Sequence, residues 1–296
     1  MSSRALTRDP APPSRAADSL RSRIDELADE AGAAAIGVAV HDLATGFDFR
    51  YRADRWFHAA STIKLAVLVG VYRAVHRGTL VPQSRLHVRN LFHSAVDGAP
   101  FRVSAGRDAN AEVQRAIGKT MRIAELAHHM ITTSSNLATN LLLDYVGLEE
   151  TQRALEELAV EGIDLRRGVE DERAFEAGIS NRVTADGLVA LLRAIAEERA
   201  FSRELSRDML RILHAQEFRS GIPAHLPDVA RIAHKTGDIS TVAHDAGIVY
   251  LPDRRPYVLA ILTEWSPERG GRSRTIASIS RAVYEALTCD AEGRRG

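Results

Sequence analysis

Cysteine and surplus charge are nearly absent from this sequence of 296 residues. Cys289 is the only cysteine, so an intramolecular disulfide is excluded and a reducing compartment is permitted. The 39 basic residues are balanced by 39 acidic ones, which gives no reason to expect nucleic acid or an anionic membrane as a partner. His128 and His129 are adjacent, and adjacent helix positions point about 100 degrees apart, which is poor geometry for a metal. We therefore expect no metal and no other cofactor.

Long apolar runs are also missing. The stretch from Met1 to Ser14 lacks the apolar core of a signal peptide, and the chain nowhere contains about 18 apolar residues without charge. We expect no membrane span and, if the chain starts at its native residue, a cytoplasmic protein. The composition, 45% hydrophobic and 26% charged, is typical of a globular protein with a large core, and we expect a monomer or a dimer. Residues 1–17 are polar and Pro-bearing, which predicts a disordered arm.

Strand patterns lie near both ends of the sequence, with a helical block between them. Period-two alternation predicts strands over 36–42, 47–51, 229–235, 243–251 and 257–264. Helical spacing predicts helices over 19–31, 61–76, 110–117, 122–132, 136–146, 149–160, 184–199, 203–215 and 272–287.

The economical arrangement of these elements is an α+β fold with two lobes. One lobe, residues 18–60 and 216–290, would be an antiparallel sheet flanked by the terminal helices. The other, residues 61–215, would be all-helical. A site for a small-molecule substrate would lie in the cleft between them.

The segment Ser61-Thr62-Ile63-Lys64 places a hydroxyl and an amine at positions i and i+3 before an apolar helix. Residues at this spacing share a helix face, so Lys64 can reach the Ser61 oxygen. A serine needs a neighbouring base to act as a nucleophile, and a desolvated lysine loses its proton readily. The alternative is that Ser61 caps a core helix while Lys64 reaches solvent.

Two further polar stretches stand at positions where side chains can project into a cleft. Ser134-Ser135-Asn136 lies at a predicted helix junction. Lys235-Thr236-Gly237 lies at the predicted end of a strand, where glycine lets a ligand approach the backbone. Each triplet alone is more often a helix cap or an edge strand entering a turn.

Together, the three motifs Ser-x-x-Lys, Ser-x-Asn and Lys-Thr-Gly resemble those of the penicillin-recognising serine hydrolases. The resemblance is strongest to class A β-lactamases, and to the class-A-like group with a following His-Asp-x-Gly strand, here His244 to Gly247. It extends over about residues 20 to 288, and the longer match from Ile131 to Leu143 is its most specific part. The resemblance implies a two-lobed β-lactamase-like fold and a mechanism through an acyl-enzyme.

The same resemblance implies a role for individual residues. Ser61 would be the nucleophile, Lys64 would help to deprotonate it, and Ser134 would pass the proton to the leaving nitrogen. Lys235 would hold Ser134 and the substrate carboxylate electrostatically. The substrate-binding residues would be Asn136 for the amide, Thr236 beside Gly237 for the carboxylate, and the backbone N–H groups of Ser61 and Asp238 for the oxyanion.

The sequence departs from the family pattern at three places. Ser135 replaces the aspartate of Ser-Asp-Asn. Glu170 is the best match to the acid that activates the deacylating water, with Asp171 and Glu172 as rivals, but no asparagine follows it four residues later. The arginine that meets the substrate carboxylate is not evident, and His244 is the candidate substitute.

These observations favour a serine hydrolase that opens β-lactam rings through an acyl-enzyme on Ser61. One alternative is a β-lactam-acylated trap or sensor with slow deacylation, which the missing asparagine favours. A second is a peptidase, esterase or amidase of the same fold, and a third is a helical interaction protein without catalytic activity.

Overall fold

The computed structural model describes residues 14–108, 110–268 and 270–292. Its main sheet is antiparallel and five-stranded, in the order β10-β11-β12-β1-β2. The strands are β1 (Ala35–Asp42), β2 (Asp48–Tyr51), β3 (Phe57–His58), β4 (Arg85–His87), β5 (Phe92–His93), β6 (Pro100–Phe101), β7 (Thr120–Arg122), β8 (Ile163–Asp164), β9 (Arg182–Val183), β10 (Arg231–Ile239), β11 (Val242–Tyr250) and β12 (Tyr257–Glu264).

Most of the helices lie between β3 and β10 in the chain. They are α1 (Ser14–Ala31), α2 (Lys64–His76), α3 (Ala111–Arg115), α4 (Ile123–Thr132), α5 (Asn136–Val146), α6 (Leu148–Glu157), α7 (Glu172–Glu176), α8 (Ala185–Ala196), α9 (Arg203–His214) and α10 (Arg272–Glu292). Short 3₁₀ turns occupy Ala60–Ile63 and Ile222–His225. Among the described residues, no helix is long and apolar enough to span a bilayer.

The main sheet joins strands from the N-terminal and C-terminal parts of the chain, because β1 pairs with β12 from Ala35 opposite Glu264 to Asp42 opposite Tyr257. Alternate residues of β1 then face opposite sides. Ile36, Val38 and Val40 pack with the terminal helices α1 and α10 in one apolar cluster, whereas the small Ala35 and Ala39 belong to the cluster of the helical block. The α+β, β-lactamase-like fold expected from the sequence is confirmed, as is the packing of both terminal helices on one face.

Helix α2 forms the centre of the helical block, since every residue from Lys64 to Tyr72 is buried. The continuous apolar run after Lys64 accounts for this burial on all sides. Gly70 lets α6 approach closely, because a β-carbon at this position would lie 2.5 Å from Thr151 Oγ1. The helix that carries Lys64 is therefore fixed by packing on all sides.

Several predicted boundaries differ from the structure. Helix α1 begins at Ser14, five residues before the predicted cap at Ser19, and residues 1–13 of the predicted arm lie outside the described residues. The predicted loop over 93–110 includes the small β5–β6 hairpin. Strand β10 continues to Ile239, so Lys235-Thr236-Gly237 lies inside the strand and not at its end. The predicted lobe boundaries at residues 60 and 215 stay a prediction.

Candidate active site

Ser61 lies in the short turn that leads into α2, at the wall of a cleft of about 890 Å³. The preceding residue, Ala60, has a φ of 42°, an uncommon conformation for a residue with a side chain. Neighbouring bonds hold this backbone: the Ala60 N–H donates to His58 Nδ1 at 3.0 Å, and the Ala59 N–H donates to the Asn181 carbonyl at 2.9 Å. The strained turn is thus anchored from both the preceding strand and the opposite loop.

The Lys64 amine is fully buried and lies within hydrogen-bond distance of four oxygens. The Ser134 carbonyl and Asn136 Oδ1 are each 2.7 Å from Nζ, and the Ser61 and Ser134 hydroxyl oxygens are each 3.0 Å away. Burial and the nearby Lys235 hold the pKa of Lys64 well below its usual value, against opposing contributions from Asp108 and Glu170.

A neutral lysine amine has two N–H donors and one lone pair. The Ser134 carbonyl and Asn136 Oδ1 can only accept, so they take the two N–H groups of Lys64. The lone pair is then left to accept a proton from the Ser61 or Ser134 hydroxyl. In this arrangement a neutral Lys64 can accept a proton from either serine.

The Lys235 amine is also fully buried. Its Nζ lies 3.0 Å from Ser134 Oγ and donates to the Thr236 carbonyl at 2.8 Å. Burial lowers the pKa of Lys235 to about 7, and the charge of Asp245 opposes this shift. Ser134, with a φ of 59°, therefore places one hydroxyl midway between two buried amines.

Strand β10 comes close to the N-terminal turn of α2 at Gly237. A β-carbon at Gly237 would lie 3.1 Å from the Ser61 nitrogen and 3.0 Å from the Thr62 nitrogen, so only glycine fits without displacement. Thr236, Gly237 and Asp238 line the cleft together with Ser61.

The acidic loop of residues 167–176 closes another side of the cleft, and its position depends on Asn140. The side chain of Asn140 accepts from the Val169 N–H and donates to the Val169 carbonyl, both at 2.8 Å. The backbone of Val169 is therefore fixed, and the residue lines the cleft. Gly168 makes room for this contact, because a β-carbon there would lie 3.0 Å from Asn140 Oδ1.

Of the three acidic side chains predicted as rivals, that of Glu170 is the only one that hydrogen-bonds to another predicted site residue within the described part of the chain. Its φ is 62°, its Oε1 accepts from Asn136 Nδ2 at 2.7 Å, and its Oε2 accepts from the Ser104 N–H at 2.9 Å. Asp171 is buried and caps α7 by accepting from the Ala174 N–H. Glu172 is exposed and pairs with Arg107.

His244 lines the cleft, but its ring contacts backbone groups of neighbouring strands, and its contact with a substrate carboxylate stays a prediction. The residue is 2% exposed, and its Nε2 donates to the His58 carbonyl at 2.8 Å. Its Nδ1 lies 2.8 Å from the Ala243 carbonyl oxygen and 3.1 Å from the Thr263 backbone nitrogen, which donates to it when Nδ1 carries no proton. Burial lowers the pKa of His244 to about 4, so the ring is neutral and both nitrogens are used to join strands.

Two residues that contact the site were missed from the sequence. Asp108 accepts hydrogen bonds at the start of α5, and Asn140 fixes Val169. The only indication of Asp108 in the sequence was that Ser135 stands where the motif Ser-Asp-Asn has its aspartate. No local pattern pointed to Asn140.

A serine beside a buried lysine of lowered pKa, a second serine between two amines and a glycine-bearing strand next to the first serine are the features of a serine acyl-transfer hydrolase. The family profile described as "Beta-lactamase enzyme family" matches residues 19–287. The chain therefore belongs to the beta-lactamase enzyme family, whose general activity is serine-dependent β-lactam hydrolysis through an acyl-enzyme.

Individual relatives agree with this membership. A β-lactamase of Streptomyces fradiae is 30% identical over 275 residues, which cover 86% of this chain and 82% of the relative. A β-lactamase of Bacteroides uniformis is 30% identical over 181 residues, and the match spans 57% of this chain and 61% of the relative. A mutant of PBP-A, solved as an acyl-enzyme complex with penicillin G, is 28% identical with a TM-score of 0.79, over 94% of this chain and 98% of that one.

Proposed function

We propose that this enzyme opens β-lactam rings by acylation of Ser61, with Lys64 as the base and Ser134 as the proton donor to the leaving nitrogen. The observation that carries the proposal is the chain of contacts through Lys64. Its Nζ lies 3.0 Å from both serine hydroxyls, so a proton taken from Ser61 can pass to Ser134 without a large movement. Lys235, 3.0 Å from Ser134 Oγ, stabilises charge on that hydroxyl and attracts a substrate carboxylate.

The oxyanion would be held by the N–H groups of Ser61 and Asp238. In an antiparallel strand, the N–H and C=O of one residue point to the same side, and this side alternates along the chain. The His234 carbonyl accepts from Gln216 and the Thr236 carbonyl accepts from Lys235, so both face away from β11. The Asp238 N–H, two residues further along, is expected on the same side, where β10 meets the Ser61 turn.

Asn136 would bind the substrate amide through Nδ2, and Thr236 would bind the substrate carboxylate. In the free enzyme, Asn136 Nδ2 donates to Glu170 at 2.7 Å and to the Arg107 carbonyl at 3.3 Å. The longer bond is the weaker of the two, so the substrate carbonyl would replace the Arg107 carbonyl. This substitution leaves the contacts between Asn136, Lys64 and Glu170 intact.

Glu170 would activate the water that releases the acyl group, and this step would be slower than acylation. Its two carboxylate oxygens accept hydrogen bonds from Asn136 and from Ser104, and each oxygen keeps a lone pair that can accept from a water. The absence of an asparagine four residues after Glu170, which would help to hold that water, favours the second candidate function, a protein that β-lactams acylate and that deacylates very slowly.

The test is to mix the enzyme with benzylpenicillin or a chromogenic cephalosporin and to follow its intact mass and the product with time. We expect an adduct of the full β-lactam mass on Ser61 that forms quickly and decays slowly with release of product. Ser61→Ala should remove the adduct and leave thermal unfolding unchanged, whereas Lys119→Gln, at an exposed lysine, is the matched control that retains it.

Each other outcome selects an alternative. A persistent adduct without product identifies a trap. Absence of both adduct and product directs the search to peptides, esters or other amides. Cytoplasmic location, a monomer or dimer, and the absence of a nucleic-acid partner stay predictions that cell fractionation, sedimentation and binding assays test.

A further inference from the structure

Asp108 contacts the start of α5 from a separate loop, and no motif of the sequence contains it. Its carboxylate is 7% exposed and accepts five hydrogen bonds. Oδ1 accepts from the N–H groups of Asn136 at 3.1 Å and Asn110 at 3.2 Å. Oδ2 accepts from the Leu137 N–H at 3.1 Å, the Ser135 hydroxyl at 3.2 Å and Gln114 Nε2 at 3.1 Å.

These bonds occupy the segment that presents the second motif. The first N–H groups of a helix have no partner within the helix, and a carboxylate is a favourable acceptor for them. Ser135 accepts from the Ala138 N–H, and Asp108 serves Asn136 and Leu137. The two residues together therefore satisfy the start of α5, with Ser134 directly before it and Asn136 at its first position.

Ser135 stands where the resembling motif Ser-Asp-Asn has its aspartate. In this chain, the carboxylate reaches the same helix start from residue 108, and it touches Ser135 itself through the 3.2 Å bond. The negative charge that the motif has at the position of Ser135 is therefore supplied by Asp108, which contacts Ser135.

We propose that Asp108 is a positioning residue for acylation, whose carboxylate replaces the missing motif aspartate and holds Ser134 and Asn136 against the Lys64 amine. The proposal rests on the proposed function of Ser61 and Lys64. Asp108 touches neither substrate nor Ser61; it acts through the two residues whose oxygens bind Lys64 Nζ.

The Asp108 charge also acts on Lys64 directly. The charged groups that face Lys64 are Lys235 on β10, which lowers its pKa, and Glu170 and Asp108 on two loops, which raise it. Removal of the Asp108 charge therefore lowers the pKa of Lys64 further. Lys64 must be neutral to act as the base, so the acylation rate falls at low pH as Lys64 gains a proton. We call this fall the acid limb, and a lower pKa of Lys64 moves it to lower pH.

The test is a charge-relocation cycle with four proteins: wild type, Asp108→Asn, Ser135→Asp, and the double variant. Asn cannot accept on the nitrogen side of its amide, so the Leu137 N–H loses its partner and α5 starts in a different position. We expect Asp108→Asn to acylate about 10- to 100-fold more slowly with benzylpenicillin, with its acid limb at lower pH. Ser135→Asp alone should also be slow, because it brings two carboxylates together.

In the double variant, the carboxylate returns at residue 135, and both the acylation rate and the acid limb should recover toward wild type. If Asp108→Asn fails to fold, recovery of folding and acylation in the double variant supports the proposal equally. Glu149→Gln, which removes an exposed carboxylate on α6, is the control for loss of a negative charge and should acylate as wild type and keep its acid limb.

Three results would overturn the inference. One is wild-type acylation by Asp108→Asn. Another is a slow Asp108→Asn protein with an unmoved acid limb and no recovery in the double variant, which would identify a purely structural role. The third is failure of both Asp108→Asn and the double variant to fold. If the wild type itself forms no adduct, the proposed function fails. The four proteins are then compared by thermal unfolding. Recovery of stability in the double variant would still support the relocation of the carboxylate.

Discussion

Glu170 accepts a hydrogen bond from the side-chain amide of Asn136, with 2.7 Å between Oε1 and Nδ2. The other end of the same amide accepts from Lys64 at 2.7 Å. Asn136 therefore stands between the amine proposed as the base for acylation and the carboxylate proposed as the base for deacylation. No bond joins Glu170 directly to Ser61 or Lys64 among the contacts of the described residues. This separation is the reason to expect the two half-reactions to respond differently to substitution.

Glu170→Gln should separate the two steps. A glutamine can still accept from Asn136 through its oxygen, so acylation should change by less than about tenfold. A neutral amide cannot take a proton from water, so the acyl-enzyme should persist about 100-fold longer or more. The measurement is the intact mass of the benzylpenicillin adduct with time.

Glu172→Gln is the matched control, because that side chain is exposed and pairs only with Arg107 among the described contacts. It should leave the adduct lifetime unchanged. Equal lifetimes for wild type and Glu170→Gln would remove Glu170 from deacylation.

Val169→Glu should shorten the lifetime of the acyl-enzyme. The Val169 backbone is held by both ends of the Asn140 amide, and the residue lines the cleft with Ser61. A carboxylate on this fixed backbone would add a second base at the wall of the cleft. We expect deacylation to accelerate about tenfold or more.

Val169→Gln has nearly the same shape without the base, and it should deacylate as the wild type. The rate of product release after a burst with the chromogenic cephalosporin measures both variants. Equal acceleration by Glu and Gln would attribute the effect to changed packing and not to base catalysis.

Much of the fold could be predicted because its elements have clear local patterns. Helix α5 spans residues 136–146 and β12 spans 257–264, as predicted, since periodic apolar residues and flanking turn residues define both. The Ser61 and Lys64 contact could also be anticipated, because spacing on one helix face sets it.

The parts of the site that could not be predicted depend on contacts between distant residues. The direction of Glu170 follows from its φ of 62° and from Asn140, 29 residues before Val169. His244 lines the cleft, but its ring also contacts the His58 carbonyl, 186 residues away. Side-chain direction in such loops is set by tertiary contacts, and no local pattern encodes it.

Lys235→Gln should move the acid limb of acylation to higher pH. The Lys235 charge lowers the pKa of Lys64, so its removal raises that pKa, and Lys64 then gains its proton at a higher pH. Acylation rates measured between about pH 5 and 9, across the range in which a lysine of depressed pKa titrates, give the limb directly. The direction is opposite to that expected for Asp108→Asn.

Lys119 is the one lysine of the sequence besides Lys64 and Lys235, and it is exposed. Lys119→Gln should leave the acid limb at the wild-type pH. A limb that moves to lower pH in Lys235→Gln, or stays in place, would show that repulsion between the two buried amines does not set the protonation of Lys64.

Gly237→Ala should reduce acylation more than stability. The added β-carbon would lie 3.0 Å from the Thr62 nitrogen, 3.1 Å from the Ser61 nitrogen and 3.2 Å from the Ala60 β-carbon. These atoms belong to a strained turn that cannot move away easily, so β10 must shift and carry the Asp238 N–H away from the oxyanion. We expect acylation to fall about 100-fold and the free energy of unfolding to fall by about 1–3 kcal/mol.

Gly270→Ala is the matched control, since no atom lies within 4 Å of an added β-carbon there, and it should change neither quantity. Adduct formation rates and urea unfolding of both variants check the expectation. Because the clash involves the backbone nitrogen of the nucleophile itself, a Gly237→Ala enzyme that acylates at the wild-type rate would contradict the role of this close approach in forming the oxyanion hole.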